Sequence, residues 1–248
     1  MASTSESGHA KNLANFEKLI SYCAGYGANY NPSNENIRLV ALNALLADSR
    51  SAVDNVNLAL PPYSNATAAR EVAFKTLRPF ATRVLNALKA TTTTQQVDDN
   101  ARTLVLKIQG RRATPKLSEE EKKALTEQGK EHKEISSSQL SFDNRLENLD
   151  RLIKLLKTIP QYNPNEEDLK TDALETYFSS LQKANKDVLA VTPPLSNARI
   201  ERNNIMYGEL TGLTDIAQDV KLYIKSLYGA SSPIFKQVSG LEFKRVLR

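Results

Sequence analysis

Tyr30-Asn31-Pro32 returns as Tyr162-Asn163-Pro164, and Pro61-Pro62-Tyr63-Ser64-Asn65-Ala66 returns as Pro193-Pro194-Leu195-Ser196-Asn197-Ala198. Both pairs stand at one offset of 132 with no gap between them. Across the 41 aligned positions 14 are identical, among them Glu35/Glu167, Ala41/Ala173, Leu42/Leu174, Ala52/Ala184, Val56/Val188 and Arg70/Arg202. Unrelated stretches share far fewer, so the chain carries an internal duplication.

Working outward, each copy reads as amphipathic helices. Leu169, Ala173, Tyr177, Leu181, Ala184, Val188 and Val191 step by three and four, as one buried helix face does. Ile37, Ala41, Leu45, Ser49, Ala52 and Val56 run over the equivalent positions. Asn31 or Ser33, and Asn163 or Asn165, are expected to cap these helices. The proline pairs are expected to end them, since a residue before proline is pushed out of the α region. Ser64 and Ser196 then cap third helices, with stripes Ala73, Leu77, Ala81, Val84, Leu88 and Met206, Leu210, Leu213, Ile216, Val220, Ile224, Leu227. Fourth helices are expected near Gln95–Gln109 and Pro233–Ser239. First helices carry Phe16, Leu19, Ile20, Cys23 and Phe142, Leu146, Leu149, Leu152, Ile153, Leu156.

The expected fold is all-α, two tandem up-and-down four-helix bundles produced by the duplication. The expected boundaries are a disordered leader at 1–11, copy one at 12–110, a charged linker at 111–140 and copy two at 141–248. In the linker, Ser118 and Glu121 form a capping-box pattern ahead of Gly129. Copy two holds all four of its stripes, so residues 136–248 are expected to fold alone.

Composition narrows the function classes. The net charge of +5 splits into +3, +1 and +1 over residues 1–110, 111–140 and 141–248, and acids interleave with bases throughout. That pattern argues against nucleic acid as the main partner, although Arg111, Arg112, Lys116, Lys244, Arg245 and Arg248 could touch phosphates. Cys23 is the only cysteine, so neither an intrachain disulfide nor a cysteine zinc site can form. Residues 1–10 lack the apolar core of a signal peptide, and no apolar run reaches 18 residues. The expected location is cytoplasmic, with no membrane span.

Histidine occurs only at His9 and His132, so Ser-His-Asp chemistry lacks its base in any core element. Glu6-Ser7-Gly8-His9 has the Glu-x-x-His spacing of di-iron bundles, but the pattern occurs once. No Gly-x-x-x-x-Gly-Lys or Gly-x-Gly-x-x-Gly loop is present. No cofactor is expected. The repeated Arg70 and Arg202, with Asn203, Asn204 and Tyr207, make the one polar patch that could hold a small ligand.

Tyr162–Glu167, Ser196–Asn203, Val220 to Ser226, Phe235 to Val238 and Ser138 to Phe142 resemble a group of tandem helical proteins from Bacteroidota-type bacteria. The resemblance covers nearly the whole chain. It implies the all-helical tandem fold and assigns no activity, cofactor or site residue. The reading is a non-enzymatic structural or protein-interaction module acting on a protein partner or on itself. Alternatives are a small-ligand binder or enzyme using Arg70, Arg202, Asn203 and Tyr207, or a weak nucleic-acid binder.

Overall fold

The repeat governs local structure in detail. Two long helices of 37 residues, α2 (Leu39–Lys75) and α6 (Thr171–Tyr207), begin and end at positions 132 apart. A one-turn 3-10 helix precedes each, Glu35–Ile37 and Glu167–Leu169. The Tyr-Asn-Pro tyrosine explains that turn. Tyr30 Oη donates to the Ile37 carbonyl at 2.7 Å, and Tyr162 Oη donates to the Leu169 carbonyl at 2.8 Å. Both hydroxyls are buried, so each satisfies a carbonyl that would otherwise lie dry at the helix entry. Helix α2 therefore starts several residues after the expected cap, and Asn34 caps the 3-10 turn instead, accepting from the Asn36 amide at 3.0 Å.

The computed structural model describes residues 5–111 and 141–246, with side chains from Gly8 onward. The remaining helices are α1 (Ser5–Gly25), α3 (Leu77–Lys89), α4 (Gln95–Gln109), α5 (Phe142–Lys157), α7 (Leu213–Tyr228) and α8 (Pro233–Ser239). There is no strand among the described residues. No described helix is long and apolar enough to cross a membrane. Residues 112–140, with the Ser118/Glu121 pattern, Lys116 and His132, lie outside the described residues, as does Arg248.

Three sequence expectations need correction. The leader is helical from Ser5, and His9 within it is 1% exposed. The proline pairs do not end their helices: Pro61-Pro62 and Pro193-Pro194 lie inside α2 and α6, so Ser64 and Ser196 are interior residues, not caps. A helical proline removes one N–H and crowds the carbonyl four residues earlier. Those carbonyls belong to Asn57, Leu58, Leu189 and Ala190, all exposed, so water can take the bonds the prolines withhold. Buried Val56, Val188 and Leu195 hold the flanking turns. Leu210, expected on the third stripe of copy two, is 75% exposed with φ of 65°. It sits between Gly208 and Gly212, where an added Cβ would come within 2.5 Å of the Asn204 carbonyl and the Gly208 nitrogen respectively. The stripe is interrupted there by a turn that needs glycine.

The chain divides into two compact units that cut across the two sequence copies. One unit joins the chain up to Tyr63 with the chain from Val191 onward. The other runs from Ser64 to Ala190. The partition therefore differs from 12–110 and 141–248: each unit takes part of each copy, and α2 and α6 each serve both. The boundaries after Tyr63 and Ala190 fall within three residues of the proline pairs.

The first unit's core gathers Phe16, Leu19, Ile20 and Cys23 of α1, Leu42 and Leu46 of α2, and Leu213, Ile216, Val220 and Ile224 of α7. The second unit's core gathers Leu77, Ala81, Val84 and Leu88 of α3, Val105 and Ile108 of α4, Leu149, Leu152 and Leu156 of α5, and Leu174 and Leu181 of α6. The α1, α3, α5 and α7 residues are those expected from the spacing, whereas on α2 and α6 the buried Leu42, Leu46 and Leu174 each stand one position beyond the expected Ala41, Leu45 and Ala173, which are only partly buried. Leu181 is fully buried, and Leu181→Ala is expected to cost roughly 2–5 kcal/mol in urea denaturation. Its repeat equivalent Ser49 is also fully buried, and its Oγ has no hydrogen-bond partner. Ser49→Ala is therefore expected to stabilise by about 1 kcal/mol, since it removes an unsatisfied hydroxyl at little cost in volume. A lowered midpoint would show that the hydroxyl is satisfied.

Candidate functional site

The residues singled out from sequence are divided between the two units. Arg70 belongs to the second unit, and Arg202, Asn203 and Tyr207 to the first. Arg202 is 1% exposed, with Nε and Nη2 donating to Asn203 Oδ1 at 3.2 and 3.0 Å. Tyr207 Oη lies 2.6 Å from His9 Nδ1 and accepts from Asn12 Nδ2 at 3.2 Å, all three residues buried. Asn12 also clasps the chain's last segment. Its Nδ2 donates to the Lys244 carbonyl at 2.8 Å, and its Oδ1 accepts from the Lys244 amide at 3.1 Å.

More of that segment is strapped down. Asn15 Nδ2 donates to the Glu242 carbonyl at 2.7 Å, and Phe243 meets Phe16 edge-on at 6.4 Å. Val246 lies where a Cβ on Gly8 would approach to 2.9 Å. Arg245 pairs with Asp215 at 2.8 Å and holds that carboxyl below its usual range. Tyr207 of the expected patch thus belongs to an internal clasp, closed by residues 241–246. Lys244 and Arg245, expected as phosphate contacts, have acids beside them instead, Glu242 and Asp215.

Arg70 has a different setting. Its guanidinium stacks 4.0 Å over the Phe142 ring, and Nη1 donates to Asn185 Oδ1 at 3.2 Å. Asn185 Nδ2 in turn donates to Asp143 Oδ1 at 2.7 Å. Phe142 meets Phe74 edge-on at 4.8 Å, and Arg145 lies 5.3 Å over Phe74. Two cations therefore flank a pair of aromatic rings, each cation over the negative face of one ring.

Beside this stack opens a cleft of about 520 Å³. Glu71, Val72, Phe74 and Lys75 from the end of α2 form one wall, Arg78 from α3 another, and Phe142 and Arg145 from the start of α5 a third. Arg145 is 9% exposed. Its Nη2 donates to the Phe74 carbonyl at 3.1 Å, while its Nε has no partner. Burial, and then repulsion from Arg78, lower the Arg145 pKa below the usual guanidinium value. No salt bridge joins Glu71, Lys75, Arg78 or Arg145 to any other described residue.

Sequence reading missed Phe74, Arg78, Phe142 and Arg145. The signal was a one-residue shift. At an offset of 133, Leu13, Asn15, Leu19 and Ile20 are matched by Leu146, Asn148, Leu152 and Ile153. His9 then answers to Phe142 and Asn12 to Arg145, while Arg202, Met206 and Tyr207 answer to Arg70, Phe74 and Lys75. The clasp of the first unit and the cleft of the second are built at corresponding positions. One is closed by the chain's own backbone, and the other is open among the described residues.

The repeated acids are structural: Glu35 pairs with Arg38 at 3.1 Å and Glu167 with Lys170 at 2.5 Å, exposed pairs three residues apart. Cys23 is fully buried, as expected, and burial pushes its thiol up to about 11. Burial also raises Tyr26 and Tyr162 to about 12 and raises Tyr30 further. In each case the folded state holds its proton to higher pH than the unfolded chain. The stability these groups contribute is complete below about pH 9 and is lost as pH rises toward 12. Melting temperature is expected to fall steadily over that window, and a flat profile would show these groups to be solvated. Among the described residues no group of three His, Cys, Asp or Glu is placed to hold a metal ion.

No family model, curated protein or solved structure matches the chain.

Proposed function

We propose that this chain is a non-enzymatic interaction module in which the first unit is structural and the second does the binding. In this reading the internal duplication produced two copies of four helices, as in the tandem proteins of Bacteroidota-type bacteria that the sequence resembles, and the copies then exchanged halves. The observation that carries the reading is the contrast between corresponding positions. Around Tyr207, His9 and Asn12 polar groups are engaged with one another and with the Lys244 backbone, and the matching Arg202 is buried against Asn203. Around Arg70, Phe74, Phe142 and Arg145 a cleft of about 520 Å³ carries charge with no counter-charge in contact.

The test is site-specific photo-crosslinking of the full chain in the cells that make it. A crosslinker replaces Val72, 70% exposed at the cleft wall, or Leu222, 62% exposed on α7 of the first unit. Position 72 is expected to give an adduct of discrete mass that position 222 does not. Adducts from 222 alone, or none from 72, would overturn the assignment of binding to the second unit.

A further inference from the structure

We infer that the cleft of the second unit takes a small organic oxyanion, a carboxylate or phosphate ester carried on an apolar body. The inference rests on the second unit being the binding unit. The volume, about 520 Å³, lies in the range of small-ligand sites. Its walls divide by chemistry. Phe142 and Val72 offer apolar surface, with buried Phe74 behind them; Lys75, Arg78 and Arg145 offer positive charge against the single acid Glu71.

Arg145 decides the sign of the ligand. A buried ion is normally paired, because leaving it unpaired costs several kcal/mol of desolvation. This guanidinium has five N–H donors, of which the Phe74 carbonyl takes one. Its Nε is buried and unpartnered, and Arg78 repels it. The Arg70 Nε behind Phe142 is also buried without a partner. A planar oxyanion against Arg145 would take two parallel N–H bonds and cancel the repulsion from Arg78. The apolar part of the ligand would then lie on Phe142 and Val72. No bond is made or broken in this proposal.

Calorimetric titration of the full chain with four probes tests it: phenyl phosphate, benzoate, inorganic phosphate and benzyl alcohol. One of the two aromatic anions is expected to saturate one site per chain and to bind at least about 10-fold more tightly than benzyl alcohol. Which of the two wins distinguishes phosphate from carboxylate recognition. Arg145→Met is expected to weaken that anion on the order of 100-fold, consistent with loss of a buried bidentate charge contact. Because Arg145 is buried, Arg78→Ala is the control for folding: its side chain is exposed, its melting temperature should not fall, and the anion should still weaken about 3- to 10-fold.

Benzyl alcohol binding as tightly as the anions would overturn the charge assignment while leaving the cleft a binding site. Inorganic phosphate matching phenyl phosphate would remove the apolar body. No binding by any probe, or anion binding unchanged in both variants, would overturn the inference altogether, and the crosslink at position 72 would still judge the second unit independently.

Discussion

Expressed alone, residues 136–248 are expected to melt without a cooperative transition, and mixing them with residues 1–112 is expected to restore one. The ground is how each core is assembled. In the first unit's core, 9 of the 17 buried apolar members, from Met206 to Leu241, come from the second sequence copy. In the second unit's core, 10 of 18 do, from Leu146 to Leu181. Separation strips about half of each core. At roughly 1.5–3 kcal/mol per large apolar side chain, that loss far exceeds the 5–15 kcal/mol net stability of an ordinary domain. Circular dichroism on the fragments, alone and mixed, reads the result. One outcome would sink the interleaved arrangement: a fragment that melts cooperatively by itself. Its α6 would then have to bend at Pro193-Pro194 and close a bundle within copy two.

Arg202→Ala is expected to destabilise by roughly 3–5 kcal/mol, while Arg70→Ala costs about 1 kcal/mol. The two arginines are identical in the repeat and differ in surroundings. Arg202 is among the largest fully buried side chains of the described residues, and truncating it leaves a void and an Asn203 carbonyl without its donors. Arg70 is half-buried, stacked on Phe142 with one hydrogen bond to Asn185. Urea midpoints of the two variants read the difference directly. Equal shifts would mean that the two positions carry the same load and that the contrast between clasp and cleft has no energetic basis.

The helices were legible in the sequence because their stripes are periodic. Phe16, Leu19, Ile20 and Cys23, or Leu77, Ala81, Val84 and Leu88, are buried just as the spacing requires. A stripe names the face to be covered and not the helix that covers it, so the make-up of the two units was invisible. The proline pairs misled because the rule concerns lost hydrogen bonds, whereas the outcome here turns on whether the orphaned carbonyls reach water. That depends on the exposure of Asn57, Leu58, Leu189 and Ala190. His9 was hidden for another reason. Ser-Glu-Ser-Gly before it has no apolar period, and its burial comes from residues 198 and more positions away, Tyr207 and the last segment. Arg145 was legible in principle, as a charge one position from Leu146 on a stripe-bearing helix face. Only its alignment with Asn12 shows that the position is a buried one in both copies.

The discontinuity of the first unit also sets an order on synthesis. The second unit is continuous in sequence, Ser64 to Ala190, and can close as soon as its last residue has left the ribosome. The first unit cannot, because its opening 63 residues have their packing partners beyond residue 190. At 5–20 residues per second those residues wait roughly 6–25 s while the next 127 are made. During that interval Phe16, Leu19, Leu42 and Leu46 have no native partner from the far half of the core. The nascent chain therefore matures from its middle outward, and its first-made helix is among the last to be buried.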